Sequence, residues 1–255
     1  MAKHERDTLL KRAQDLGLHG LCARWDELGA EAWISTLLGI EEDERRRRSQ
    51  QRRLEEAKIG AVRPMADFDW KHPRKIERGR VQELFDLRFI AESSEDAARN
   101  VIFAGPNGVG KTMLAKNIAH HAVARGYKVR FSEAAAMLAD LAAQDGPAAL
   151  HRRLQRYIKP DLLVLDEIGY LTYNDRSADL LFQVVNGRYQ HTSTIITTNL
   201  AFADWGTVFP NATCVVTLVD RLCHHAEVIT IDAESYRLKE SRERSSKPSP
   251  RRRPS

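Results

Sequence analysis

Residues Gly105-Pro106-Asn107-Gly108-Val109-Gly110-Lys111-Thr112 match G-x-x-x-x-G-K followed by Ser or Thr. The octapeptide follows the apolar run Val101-Ile102-Phe103-Ala104 and runs into Leu114, Ile118 and Ala122, apolar at helical spacing. Strand, glycine loop and helix in that order make a phosphate cradle. Glycines let the backbone bend around phosphate oxygens, turn several N–H groups inward and bring the ligand close without a Cβ in the way. The helix that follows aims its positive N-terminal end at the same point. The pattern places Lys111 at the β and γ phosphates of a nucleoside triphosphate, with the Thr112 hydroxyl on Mg²⁺.

From residue 100 onward apolar runs alternate with helical patterns, as a parallel sheet covered on both faces requires. Five strands are expected, at Val101–Ala104, Lys128–Phe131, Leu162–Leu165, Thr194–Thr198 and Val228–Ile231. Ala178, Leu181, Phe182, Val185 and Tyr189 mark a helix with one apolar face between the third and fourth. The third strand ends in Asp166-Glu167. Ligands of parallel sheets bind beyond the carboxyl ends of the strands, so Asp166 is placed to hold the metal and Glu167 to polarise an attacking water. Asn199 ends the fourth strand; if that strand lies between the first and third, its amide reaches both the γ phosphate and that water, though Asn is also common turn chemistry. Arg221 reads either as a finger reaching a neighbouring subunit's γ phosphate or as a local ion pair with Asp220 or Glu227. His120-His121 and His224-His225 are adjacent pairs without metal-ligand spacing, so no metal is expected beyond that of the nucleotide.

The 255 residues are enough for one α/β core and a small second domain. No apolar run approaches the roughly 20 residues of a membrane span, and the charged N-terminus does not read as a signal peptide. Cys22, Cys214 and Cys223 form no C-x-x-C pair, which points to a reducing cytoplasm. The net charge of +5 is unevenly spread: residues 61–80 hold 6 basic against 3 acidic side chains and 237–255 hold 8 against 2, whereas 81–236 hold 14 against 18. Positive charge outside an acidic nucleotide core suits appendages that meet a polyanion.

Residues 5 to about 60 read as a bundle of short helices. Arg45, Arg46, Arg47 and Arg48 each stand four residues after an acid, and with Arg52 and Arg53 they form either a self-paired exposed helix or a nucleic-acid or subunit contact. After Gly60 and Pro64, Met65–Trp70 reads as an extended linker made basic by Lys71, Arg74 and Lys75, its Phe68 and Trp70 more an anchor than a base-stacking pair. The domains are expected at 1–63 (helical), 64–80 (basic linker), 81–238 (ATPase) and 239–255 (disordered basic tail, ending too soon for a full lid domain).

Several runs together resemble the IstB family: Gly105–Thr112, Asp161–Leu171, Ser193–Gly206, Asp220–His225 and Glu234–Leu238. These are ATP-binding helpers of insertion-sequence transposition, related to the helicase loader DnaC within the AAA+ ATPases. Asn107 stands where the family usually has Pro, and Ala233 where it usually has Gly. The resemblance implies a P-loop α/β fold, ATP with Mg²⁺, ATP-dependent homo-oligomers on double-stranded DNA, and a partner transposase. It also implies that Asn199 is the sensor 1 residue, Arg221 an arginine finger acting in trans, and Arg237 a sensor 2 arginine. A helicase loader is the alternative on the same core, and a metabolite kinase a more distant one.

Overall fold

A computed structural model describes all residues except 1–2, 92–99, 170–173, 202–203, 209–214, 225 and 241–255. The tail expected to be disordered lies almost wholly outside the described residues. The chain forms two compact units, Met1–Arg52 and Arg53–Ser255.

The first unit contains α1 (Lys3–Asp15), α2 (His19–Ala23), α3 (Trp25–Leu28) and most of α4 (Trp33–Ala57). Leu9, Ala13, Leu16, Trp25, Ile34 and Leu38 form its core. Four i,i+4 acid–arginine pairs are expected on α4, but only Glu41–Arg45 (2.9 Å) and Glu44–Arg48 (3.3 Å) form. Asp43 turns to Arg46 and Glu44 also holds Arg47, both at i,i+3. Glu42 is taken by Arg12 of α1 through two hydrogen bonds of 2.7 and 2.8 Å, because a bidentate guanidinium on a half-buried site outcompetes an exposed neighbour on the same helix. Arg12 holds the Glu42 carboxyl below its usual range.

The second unit is built on a parallel sheet of β1 (Asn100–Ala104), β2 (Val129–Glu133), β3 (Leu162–Ile168), β4 (Ser193–Thr198) and β5 (Ala226–Thr230), in the order β2-β3-β4-β1-β5. The strand starts differ from expectation by at most a residue or two. Alternation along the strands sorts the side chains onto two faces. Val101 and Phe103 of β1 with Leu162 and Val164 of β3 meet α7 (Lys111–Ala124) on one face. Ile102, Leu163, Leu165 and Ile196 meet the other layer, formed by α8 (Ala134–Ala142), α9 (Pro147–Ile158), α10 (Asp175–Arg188), α11 (Trp205–Val208) and α12 (Val215–Cys223). Central strands buried on both sides read as continuous apolar runs, which is why the sequence shows them clearly.

The segment before the sheet departs from the extended linker read from sequence. Met65–Asp67 is a 3₁₀ turn, and α5 (Arg78–Glu83) and α6 (Arg88–Ala91) follow. Phe68 is buried in the core beside α7, where burial of one aromatic ring outweighs the extended preference set by Pro64. The unit boundary falls within α4, ahead of the position 63 read from Gly60 and Pro64, because Ala57 and Ile59 already pack into the second core.

Arg188 stitches this unit together at the end of α10. Only 2% exposed, it donates from Nε to Thr194 Oγ1 (3.0 Å), from Nη1 to the carbonyls of Tyr157, Ile158 and Pro160 (2.8, 2.9 and 2.9 Å), and from Nη2 to Ser193 O. Burial pulls its pKa down to about 9. Truncation leaves these acceptors buried and unpaired, so Arg188→Ala should lower unfolding stability by about 3 kcal/mol in urea titrations; a loss below about 1 kcal/mol would contradict the stitching role.

Candidate functional site

The glycine loop leaves β1 at Gly105 and enters α7 at Lys111. Three of its glycines are required by shape. Gly105, Gly108 and Gly110 have φ of 154°, 79° and 100°, and a Cβ on them would lie 2.2 Å from Ile231 O, 2.3 Å from Ser235 Oγ and 2.7 Å from the Phe68 ring. The loop is thus pressed by two pieces of chain, Phe68 before the sheet and the stretch from Ile231 to Ser235 after it. Pro106, Asn107 and Val109 complete it, Val109 being buried in the α7-side core.

Beside the loop, the pairing of β3 with β4 runs regularly to Leu165↔Ile196, then slips and resumes at Ile168↔Thr198. Asp166 and Glu167 therefore face the single residue Thr197 across a bulge. Glu167 sits at φ +61°, a left-handed conformation uncommon for a residue with a Cβ. Bulges re-aim side chains, and in parallel sheets they are rare. Thr197 satisfies this one: its Oγ1 accepts from the Glu167 N–H (2.9 Å) and donates to Asp166 Oδ1, which also accepts from Thr112 Oγ1 (2.9 Å). Thr112 and Asp166 thus converge as a hydroxyl and a carboxylate, hard oxygen donors of the kind Mg²⁺ takes.

Lys111, 9% exposed, donates from Nζ to Gly105 O (2.6 Å) and Pro106 O (2.7 Å). Burial lowers its pKa against the pull of Asp166 and Glu167. Burial raises the Glu167 carboxyl, helped by repulsion from Asp166 and Glu133 and opposed by Arg237 and Lys111. These side chains open onto a cavity of about 300 Å³ that Asn199 and Arg237 also line. Because β4 does lie between β3 and β1, Asn199 reaches the cavity, with its Oδ1 buried and unpartnered. The buried Lys111 and the paired oxygen ligands fit a magnesium-bound phosphate ester, and the orphaned Asn199 oxygen fits a donor such as water.

Sequence reasoning missed the cavity walls apart from Arg237. Phe68, Asp69 and His72 before the sheet and Tyr236, Arg237 and Glu240 after it line one side. The two segments are fastened by Arg74 and Glu234 (3.2 Å), Asp69 and Lys239 (3.1 Å), Arg63 and Glu240 (3.6 Å), and a His72 Nε2 bond to Glu234 O (2.8 Å). The acid of one segment and the base of the other are far apart in sequence, so no local pattern reveals the clasp. Arg221 does not line this cavity; its guanidinium stacks on Phe182 and Tyr189 at 5.2 and 5.4 Å from the ring centroids, rather than pairing locally with Asp220. Lys71, Arg74 and Lys75 are exposed, Arg74 being paired with Glu234.

A phosphate loop on a parallel sheet ordered β2-β3-β4-β1-β5, with an acidic pair on β3 and a polar residue ending β4, defines a P-loop protein of the AAA+ type. Solved structures share the fold: the crystal structure of DnaI (TM-score 0.56, 17% identity, covering 68% of this chain and 92% of that one) and of the DnaC helicase loader (TM-score 0.51, 22% identity, 66% and 97%). The model of the IstB-like ATP binding proteins matches residues 12–244, and the chain belongs to that family. It is 37% identical over 245 residues to an insertion sequence IS21 putative ATP-binding protein of Pseudomonas aeruginosa, covering 94% of this chain and 91% of that one. It is 36% identical over 210 residues to the IS5376 putative ATP-binding protein of Geobacillus stearothermophilus, covering 82% of each.

Thr197→Val keeps the shape and removes both hydrogen bonds of the bulge. It should cost about 1–3 kcal/mol of unfolding stability, while Thr197→Ser stays near wild type. Equal stability of Val and wild type in denaturant titration would show that the hydroxyl does not hold the bulge.

Proposed function

We propose that this chain is a DNA-binding ATPase that serves an insertion-sequence transposase, its ATP-bound form assembling on target DNA and hydrolysis ending that state. The observation that supports this most is the convergence of Lys111, Thr112, Glu167 and Asn199 on one cavity, with Asp166 bonded to Thr112 behind them, in a chain of the IstB-like family. Relatives named for insertion sequences are 36–37% identical, whereas the DnaC helicase loader shares the fold at 22%, which favours transposition over helicase loading.

Lys111 would exchange its two loop carbonyls for β and γ phosphate oxygens, and the backbone N–H groups from Asn107 to Thr112 would take the rest. Thr112 and Asp166 would hold Mg²⁺, which when bound would neutralise phosphate charge. Glu167, with its raised carboxyl beside them, would orient the water and accept its proton. The Asn199 amide would bond that water and the γ phosphate, and Arg237 would meet phosphate charge from the cavity wall. Arg221 lies away from its own cavity, so it completes the site of a neighbouring copy, and the active form is a homo-oligomer.

Duplex DNA would be held through phosphates by Arg45, Arg46, Arg47, Arg48, Arg52, Arg53, Lys71, Arg74 and Lys75. Ion pairs among exposed groups are worth about 0–1 kcal/mol, so the acids that pair Arg45 to Arg48 and Arg74 yield readily to a polyanion. The setting would be the bacterial cytoplasm; among the described residues no helix is long and apolar enough to cross a membrane.

The test combines nucleotide and DNA titrations. Lys111→Ala should lose ATP binding, and Glu167→Gln should bind ATP yet turn it over at least about a hundredfold more slowly. Turnover needs ionised Glu167, and its carboxyl is raised, so activity should fall on acidification above the ordinary glutamate range. Duplex affinity should drop by at least about tenfold between 50 and 200 mM salt. Unchanged turnover in Glu167→Gln, or salt-independent DNA binding, would overturn the reading.

A further inference from the structure

Arg221 sits in the last turn of α12, and the surroundings of its guanidinium are unusual for a catalytic cation. Phe182 and Tyr189, seven residues apart along and just beyond α10, present their rings to it at 5.2 and 5.4 Å. Nη1 is buried without an acceptor. The end of α12 is fixed as well. Asn100 at the start of β1 donates from Nδ2 to Leu222 O (3.0 Å), capping carbonyls that a helix end leaves free, and Tyr189 Oη is hydrogen-bonded to His224 Nδ1 (3.0 Å). β1 carries the same framework to Gly105 at its other end, so the phosphate loop and the turn bearing Arg221 hang on opposite ends of one short strand.

A carboxylate would hold a guanidinium strongly but would neutralise it and occupy its donors. Ring faces attract the cation through their quadrupole and use none of its N–H groups. A side chain stacked this way keeps its charge and, the buried Nη1 apart, leaves its donors for a ligand that arrives later. It also samples few rotamers, and a misplacement of about 1 Å in a catalytic group can cost about a hundredfold in rate.

We propose that Phe182 and Tyr189 form an aromatic clamp that pre-positions Arg221 for the nucleotide of a neighbouring copy. The two rings are positioning residues, and Asn100 and His224 brace the helix end they act on. The clamp rests on the trans role of Arg221 proposed above, and it adds what holds that residue ready before the neighbour docks.

The experiment uses the full chain with ATP and duplex DNA. Phe182→Leu and Tyr189→Leu should each lower kcat by about ten- to a hundredfold with KM for ATP within about twofold of wild type, while Tyr189→Phe and Phe182→Tyr, which keep a ring, should retain kcat within about threefold. Independently of turnover, ring currents should shift the Arg221 Hδ protons upfield in the nucleotide-free protein, and each Leu variant should remove part of that shift. Leu variants that keep full kcat while Arg221→Ala loses it would overturn the clamp and leave the trans finger standing. Arg221→Ala with wild-type turnover would instead sink the trans role on which the clamp depends. If the Leu variants fail to fold, the wild-type spectrum decides: Arg221 Hδ resonances at unshifted positions would overturn the clamp.

Discussion

One hydroxyl holds the chemistry of this fold in place. Thr197 Oγ1 accepts from the Glu167 N–H and donates to Asp166 Oδ1, and by doing so it closes a bulge that would otherwise leave an unpaired N–H and a buried carboxylate with Thr112 as its one remaining side-chain donor. Asp166 is 3% exposed, so that cost would be severe. With the bulge closed, Glu167 lines the cavity while Asp166 just before it bonds Thr112 and Thr197, which line it too, although ordinary strand alternation would send consecutive residues to opposite faces. The left-handed backbone of Glu167 is the local strain this arrangement carries.

The same economy appears around the phosphate loop. Gly105 and Gly108 are pressed by Ile231 and Ser235, on one stretch after the sheet, and Gly110 by Phe68 before it. The segments before and after the sheet therefore serve as walls of the nucleotide cavity and as supports for the loop at once. Their ion pairs lie at the surface, where each contributes little alone. The covalent reach of the chain and the burial of Phe68 supply the rest, and this is how a short chain makes a deep cavity without a separate covering domain among the described residues.

Much of this was legible in the sequence, and the reason is the same throughout: local chemistry leaves local marks. The loop, the apolar strands, Asp166-Glu167 and Asn199 stand out by residue type at fixed spacing, and the sheet order puts β4 between β3 and β1, the condition on which the reading of Asn199 rests. Thr197 was invisible as a functional residue because a Thr in a strand is ordinary, and only the register slip at Leu165 and Ile168 gives it two partners. The clasp between Arg74 and Glu234, the turn at Met65–Asp67 and the diversion of Glu42 to Arg12 all depend on residues remote in sequence. Phe182 and Tyr189 were read as one helix's apolar face, which is correct for the first and incomplete for the pair, since a ring edge packed in a core still offers its face to a cation.

The proposed function requires that Thr112 and Asp166, brought together by the Thr197 bridge, hold magnesium and nucleotide next to the glycine loop. Calorimetric titration of the purified full chain with ATP, in magnesium and again with the metal chelated, tests it directly. The account predicts ATP binding that weakens by at least about tenfold when magnesium is removed. Equal affinity in both conditions, or no binding in either, would contradict it.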